Sequence, residues 1–251
     1  MDNESTSGDR VDFPTFKIED KELPIMLCGS APFVGIGQFG FRAFEYRVRF
    51  YNHPDNMADI FVHFVKQGCK GAHVLCFDNI LKAVKMAYDV EPFPIAASLN
   101  VKDIALQLKK LSMLKTVLVF VHPSQTDSLN RELLRGITKE IRDAGMIPGL
   151  ATNAPGTSIP VLDTIDIDFS AYLTSINKEG KYMVPSRKVA LETIKSTEKK
   201  VVAENPLPGK IPPEEGLPFV MEHCDSFSMG FTEKDQIDDT YKILEHVMNV
   251  V

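Results

Sequence analysis

Apolar residues gather along this chain in short blocks, separated by longer stretches in which they recur every three or four positions. The blocks are Leu23–Cys28, Gly71–Cys76, Pro94–Ser98, Thr116–Val121, Met146–Ala151, Thr164–Phe169, Lys200–Glu204 and Asp225–Met229. Runs of that length suit strands. The intervening stretches carry helical punctuation. Asp78 is placed to cap a segment whose apolar stripe is Ile80, Leu81, Val84 and Ala87, and Gly145 closes another that runs from about Ser128 to Ala144. Further helices are predicted over 54–68, 101–114, 158–162, 185–197 and 232–248, and from Pro212 onward. Strand and helix alternating eight times predict a closed (β/α)8 TIM barrel, a single domain spanning 23–251. Residues 1–22 are polar and read as a flexible tail. Pro148 falls inside a strand and marks an irregular one.

The stretch from Gly29 to about Asn52 breaks this rhythm, being long and rich in glycine and aromatics. Gly35 to Gly40 fits a GxGxxG pattern, but the next helix starts well after it, which a dinucleotide fingerprint does not allow. A lid over the barrel mouth suits these glycines and aromatics better. Its arginines, Arg42, Arg47 and Arg49, either contact an anionic ligand or are simply solvated.

A barrel of this kind keeps its chemistry at the C-terminal ends of its strands. His122 ends the fourth strand, where an imidazole can donate to a carbonyl or shuttle a proton near neutral pH. His73, on the second strand, either faces the same cavity or is a core histidine with satisfied hydrogen bonds. Glu204 closes the seventh strand as a general base of raised pKa, or as the partner of a rim Arg or Lys. Asp78, just past the second strand, completes the candidate catalytic set. Gly209 and Gly230 lie in the last two loops and Thr232 opens the final helix. Such turns offer free N–H groups to an anion, and a plain turn with an N-cap is the alternative reading.

Composition narrows the partners. Twenty-eight Lys and Arg face 34 Asp and Glu, a net charge of −6 with no basic cluster, which argues against nucleic acid and anionic membrane. No apolar stretch reaches the ~18 residues of a membrane span, and no signal peptide is evident, which points to the cytoplasm. The four cysteines form no CxxC pair and read as free thiols. His73 and His122 with Glu204 or Asp78 could hold a divalent metal, but HExxH and HxH spacings are absent and no metal is expected. The expected partner is a small-molecule metabolite, an anionic one included, with homo-oligomer formation open.

Three stretches, in order, resemble the aldo-keto reductase family. Val119–Ser124, VFVHPS, looks like that family's fourth strand, and His122 matches its catalytic histidine. Ala203–Gly209 is similar to the family's seventh-strand segment, and Met229–Gln236 resembles the glycine turn and helix start that hold the cofactor's phosphates. The resemblance implies NADP or NAD as cofactor, with Gly209, Gly230, Thr232 and Asn153 near it and Tyr172 close to the nicotinamide ring. It implies an oxidoreductase acting on a small carbonyl metabolite. The family's catalytic Asp, Tyr and Lys are not matched: those places hold His73, about Asp78, and Ser98 to Asn100. The residues therefore also permit a cofactor-independent isomerase or lyase on a phosphorylated metabolite, or a barrel that binds a ligand without catalysis.

Overall fold

The structure is a computed structural model that describes residues 13–35, 40–209 and 211–250. An antiparallel hairpin of β1 (Thr15–Ile18) and β2 (Lys21–Pro24) comes first. Eight parallel strands then close into a barrel: β3 (Met26–Gly29), β4 (Ala72–Leu75), β5 (Ile95–Ser98), β6 (Thr116–Val121), β7 (Ile147–Thr152), β8 (Ala171–Ser175), β9 (Lys200–Glu204) and β10 (Ser226–Gly230), with β10 pairing β3. The helices are α1 (Arg42–Tyr46), α2 (Pro54–Gln67), α3 (Asp78–Val90), α4 (Ile104–Leu111), α5 (Pro123–Thr126), α6 (Arg131–Asp143), α7 (Pro155–Leu162), α8 (Arg187–Ser196), α9 (Pro213–His223) and α10 (Lys234–Val250). This is the (β/α)8 architecture expected from the sequence.

Strands caught between a filled interior and a ring of helices must be apolar on both faces. β5, β7 and β8 are buried along their whole length, and β6 in all but its first residue. Side chains fall into two groups. One lies between sheet and helices; the other fills the barrel interior and includes Leu27, Leu118, Phe120, Ile147 and Leu173. Gly149 makes room for the largest of these, since a Cβ there would sit 2.5 Å from the Phe120 ring. Outside, the caps are conventional: Asn130 accepts from the Leu133 N–H ahead of α6, and Ser186 from the Val189 N–H ahead of α8.

Three expectations change. The tail is shorter than 1–22, because 15–22 belong to the hairpin. Its inward residues, Phe16, Ile18 and Leu23, join the interior group and stopper the barrel at the N-terminal end. Residues 1–12 lie outside the described set. The turn of the hairpin is tied down by Glu19, which accepts from Arg142, and that bond holds its carboxyl below the usual range. The sixth barrel strand is Ala171–Ser175, not Thr164–Phe169. Ile165, Ile167 and Phe169 alternate as a strand would, but Asp166 and Asp168 between them pair with Arg135 and Arg142 on α6. Finally, the lid is largely helical: a 3-10 turn over Ala31–Val34, α1, and a π-helical turn over Arg47–Tyr51. Residues 36–39, which include most of the GxGxxG-like pattern, lie outside the described residues.

Leu23 is fully buried inside this stopper. Leu23→Ala is expected to cost about 2–4 kcal/mol in urea unfolding, while truncation of the exposed Leu106 shifts stability by about 0.5 kcal/mol or less. Equal, small effects would mean that the hairpin is not part of the core.

Candidate active site at the barrel mouth

A cavity of about 980 Å³ opens at the C-terminal ends of the strands, roofed by the lid segment. His73, Ser98, His122, Asn153, Glu204 and Ser228 all contribute to its wall.

His73 sits at the floor, buried, with its ring edge-on to Phe120 at 6.0 Å. Its Nδ1 lies 3.0 Å from the Ser228 hydroxyl and its Nε2 2.8 Å from that of Ser98. A neutral imidazole has one N–H, so one serine donates to the ring while the other accepts from it. Burial pushes its pKa down to about 4, which keeps it neutral under physiological conditions. The bond to Ser228 crosses β3 and depends on Gly29, where a Cβ would stand 2.7 Å from the Ser228 oxygen.

His122 lies where β6 turns into α5. The Ser124 backbone N–H reaches its Nδ1 at 3.2 Å, with the Ser124 hydroxyl at 2.9 Å. A backbone N–H can only donate, so Nδ1 carries the lone pair and the proton resides on Nε2. That Nε2–H has no protein partner among the described residues. Partial burial lowers its pKa, favouring the neutral ring.

Glu204, at the end of β9, is half-buried. Its carboxyl makes no hydrogen bond or ion pair among the described residues, so the rim-salt-bridge alternative does not hold. Burial pushes its pKa up to about 7. The β9–β10 register sets Ala203 beside Phe227, and one residue further brings Glu204 alongside Ser228. Hydrogen bonds join Ser228, His73 and Ser98 along the floor, and Glu204 lines the same cavity beside them. On the other side, Asp127 accepts from the Asn153 backbone and from the Thr152 and Ser158 hydroxyls, which fixes the end of β7 and presents the Asn153 side chain.

The remaining sequence candidates lie elsewhere. Asp78 begins α3 with its side chain 82% exposed, paired to Lys110 at 2.6 Å outside the mouth. Phe77, one residue earlier, takes the place on the cavity wall. Tyr172 points the other way across β8: its hydroxyl donates to Asp163 at 2.7 Å in the layer between sheet and helices. It cannot meet a ring in the mouth, because side chains alternate across a strand and its neighbour Leu173 is the one facing in. Thr232 is buried away from the cavity. Its N–H and that of Glu233 both donate to Gln236 Oε1, at 3.0 and 3.3 Å. Gly209 and Gly230 do reach the wall. Gly230, however, makes room for Pro32, whose Cγ would lie 2.4 Å from an added Cβ. The sequence reading passed over Ser228. Its signal is the polar–apolar alternation Ser226-Phe227-Ser228 in β10, which aims both hydroxyls inward. Among the described residues no group of three His, Cys, Asp or Glu side chains gathers at a metal-binding distance, and no helix is long and apolar enough to cross a membrane.

In fold, the barrel is similar to those of solved aldo-keto reductases. The chain is similar to a thermostable aldo-keto reductase in complex with epalrestat, with a TM-score of 0.69 and 14% identity over 95% of this chain and 98% of the other. An aldo/keto reductase from Brucella melitensis superposes with a TM-score of 0.65 at 13% identity, covering 92% and 91%. One from Klebsiella pneumoniae, in complex with NADP and acetate, gives 0.65 at 10%, covering 93% and 90%. At such identities the likeness is one of fold. No family model matches the sequence, and no curated protein matches it either.

The two perturbed groups act on stability in opposite directions. From its ordinary 4.5 up to about 7, folded Glu204 keeps a proton that the unfolded chain has released, so stability falls as pH rises. His73 does the reverse between about 4 and its ordinary 6.5, where the unfolded chain holds a proton that the folded ring has lost. The slopes offset where these windows overlap. Glu204→Gln removes one of them. Relative to wild type, this variant is expected to gain on the order of 2–3 kcal/mol between pH 4.5 and 8 in urea unfolding. A pH-independent difference would show that the carboxyl is not held protonated.

Proposed function

We propose that the barrel mouth is the active site of an aldo-keto reductase-like oxidoreductase that reduces a small carbonyl compound. The observation that carries this reading is the meeting of two neutral, proton-bearing groups on one cavity: His122, with Nε2–H free, and the unpaired Glu204 carboxyl. Reduction of a carbonyl needs a hydrogen bond to polarise it and an acid to protonate the oxygen as hydride arrives. His122 Nε2–H is suited to the first task and Glu204, titrating near neutrality, to the second. Ser98, held by neutral His73, offers a further hydroxyl at the floor.

A nicotinamide dinucleotide, as the fold relatives with NADP and NADPH suggest, supplies the hydride when bound. The donor set at the mouth fits its ring end, since the Asn153 amide is presented by Asp127 and has no side-chain partner among the described residues. The start of α10 fits a 2′-phosphate poorly. Gln236 occupies the N–H groups of Thr232 and Glu233, and the Glu233 carboxylate is held there by Arg49. NAD(H) is therefore the cofactor proposed over NADP(H). The isomerase or lyase alternative and the non-catalytic barrel have no comparable support.

Titration calorimetry with NADH and NADPH, followed by turnover of a panel of aldehydes and ketones, tests the reading. NADH is expected to bind more tightly. Activity is expected to fall above pH about 7 as Glu204 ionises, and His122→Ala and Glu204→Gln should each lower kcat about 10²–10⁴-fold. Absence of binding by either dinucleotide would overturn the proposal.

A further inference from the structure

The charges on the cavity wall are unbalanced in a way the reduction step does not require. Three permanent cations line it, Arg42, Arg47 and Lys181, against the single carboxylate of Glu204. Lys181 is already paired, to Glu179 at 2.6 Å. The two arginines are not: among the described residues neither has a carboxylate within ion-pair distance, whereas Arg49, Arg131, Arg135 and Arg142 each have one. Each lies instead over an aromatic ring, Arg42 at 5.7 Å from the Phe41 centroid and Arg47 at 5.2 Å from that of Tyr51. Stacking of this kind orders a guanidinium while leaving its edge donors free for oxygen.

Both come from one lid segment, Arg42 at the start of α1 and Arg47 at the start of the π-helical turn, and both side chains line the cavity. A planar guanidinium matches two oxygens of a carboxylate or phosphate with parallel hydrogen bonds.

We infer that Arg42 and Arg47 form an anion subsite on the lid, so that the mouth selects a ligand carrying a carboxylate or phosphate. The carbonyl part of that ligand rests on the proposed reduction; the anion subsite does not.

Direct binding separates the two. With no dinucleotide present, ¹H–¹⁵N chemical-shift titrations of the whole protein would compare pyruvate with methyl pyruvate, and dihydroxyacetone phosphate with dihydroxyacetone. At least one charged probe is expected to bind about tenfold more tightly than its neutral partner, and which one does so separates carboxylate from phosphate. The Arg42→Gln/Arg47→Gln variant should abolish that preference while keeping the wild-type melting temperature, and Arg131→Gln, on the outer surface, should leave it unchanged. Equal binding of charged and neutral probes would overturn the inference. So would a preference that survives the double substitution, including the case where the variant loses NADH binding alone and the arginines serve the cofactor's phosphates. Because no turnover is measured, failure of the reductase proposal leaves this result readable.

Discussion

An eight-stranded barrel is just wide enough inside to be filled by side chains, and everything at this mouth follows from how the filling is graded. At the N-terminal end the hairpin inserts Phe16, Ile18 and Leu23. Phe120 occupies the middle at the expense of any side chain on Gly149, and only above it does the interior turn polar. His73 marks the boundary. Its ring rests on Phe120 below and spends both nitrogens on serines to either side. A barrel floor sealed this way excludes water from beneath, so the groups above it sit against a low-dielectric base.

That base explains why two groups of opposite charge type are both held neutral. Desolvation disfavours the charged form of either, lowering the pKa of His73 and raising that of Glu204. Neither shift depends on a specific charge partner. The mouth thereby holds a protonated carboxyl and an uncharged imidazole near neutral pH, a combination that water would not permit. The acid in the proposed reaction is an acid because the strand ends where burial, with no charged partner beside it, favours its protonated form.

The likeness to aldo-keto reductases and the departure from them sit in different parts of the molecule. Strand order and helix ring agree with that fold. The floor departs from the charged residues that the resemblance would imply, with His73 set against Ser98. In the proposed reaction the floor offers neutral hydrogen bonds, and Glu204, across the mouth, is the acid. The lid contributes the cations. Two halves of one cavity thus come from different devices, a rigid strand end and a helical segment whose winding changes midway.

Much of this was legible in the residues alone. Apolar blocks alternating with amphipathic stretches determined the (β/α)8 barrel, because strand and helix periodicities are local properties of the chain. The same blocks placed His122 and Glu204 at strand ends and His73 on the second strand, and the structure brings these three to one cavity. Local pattern misled where two alternations competed. The Ile165, Ile167, Phe169 run has strand periodicity, but its aspartates are drawn to arginines on α6, and Phe16 and Ile18 were too few to stand out from a polar tail. What only the tertiary structure decided is orientation and company. Tyr172 turned outward to Asp163, Asp78 outward to Lys110, and Ser228 found His73 across the gap left by Gly29. Those pairings join residues that stand 9, 32 and 155 positions apart. The longest is set by barrel closure and the middle one by the pairing of neighbouring units, and in all three the face a side chain takes depends on what packs against it, which local sequence does not encode.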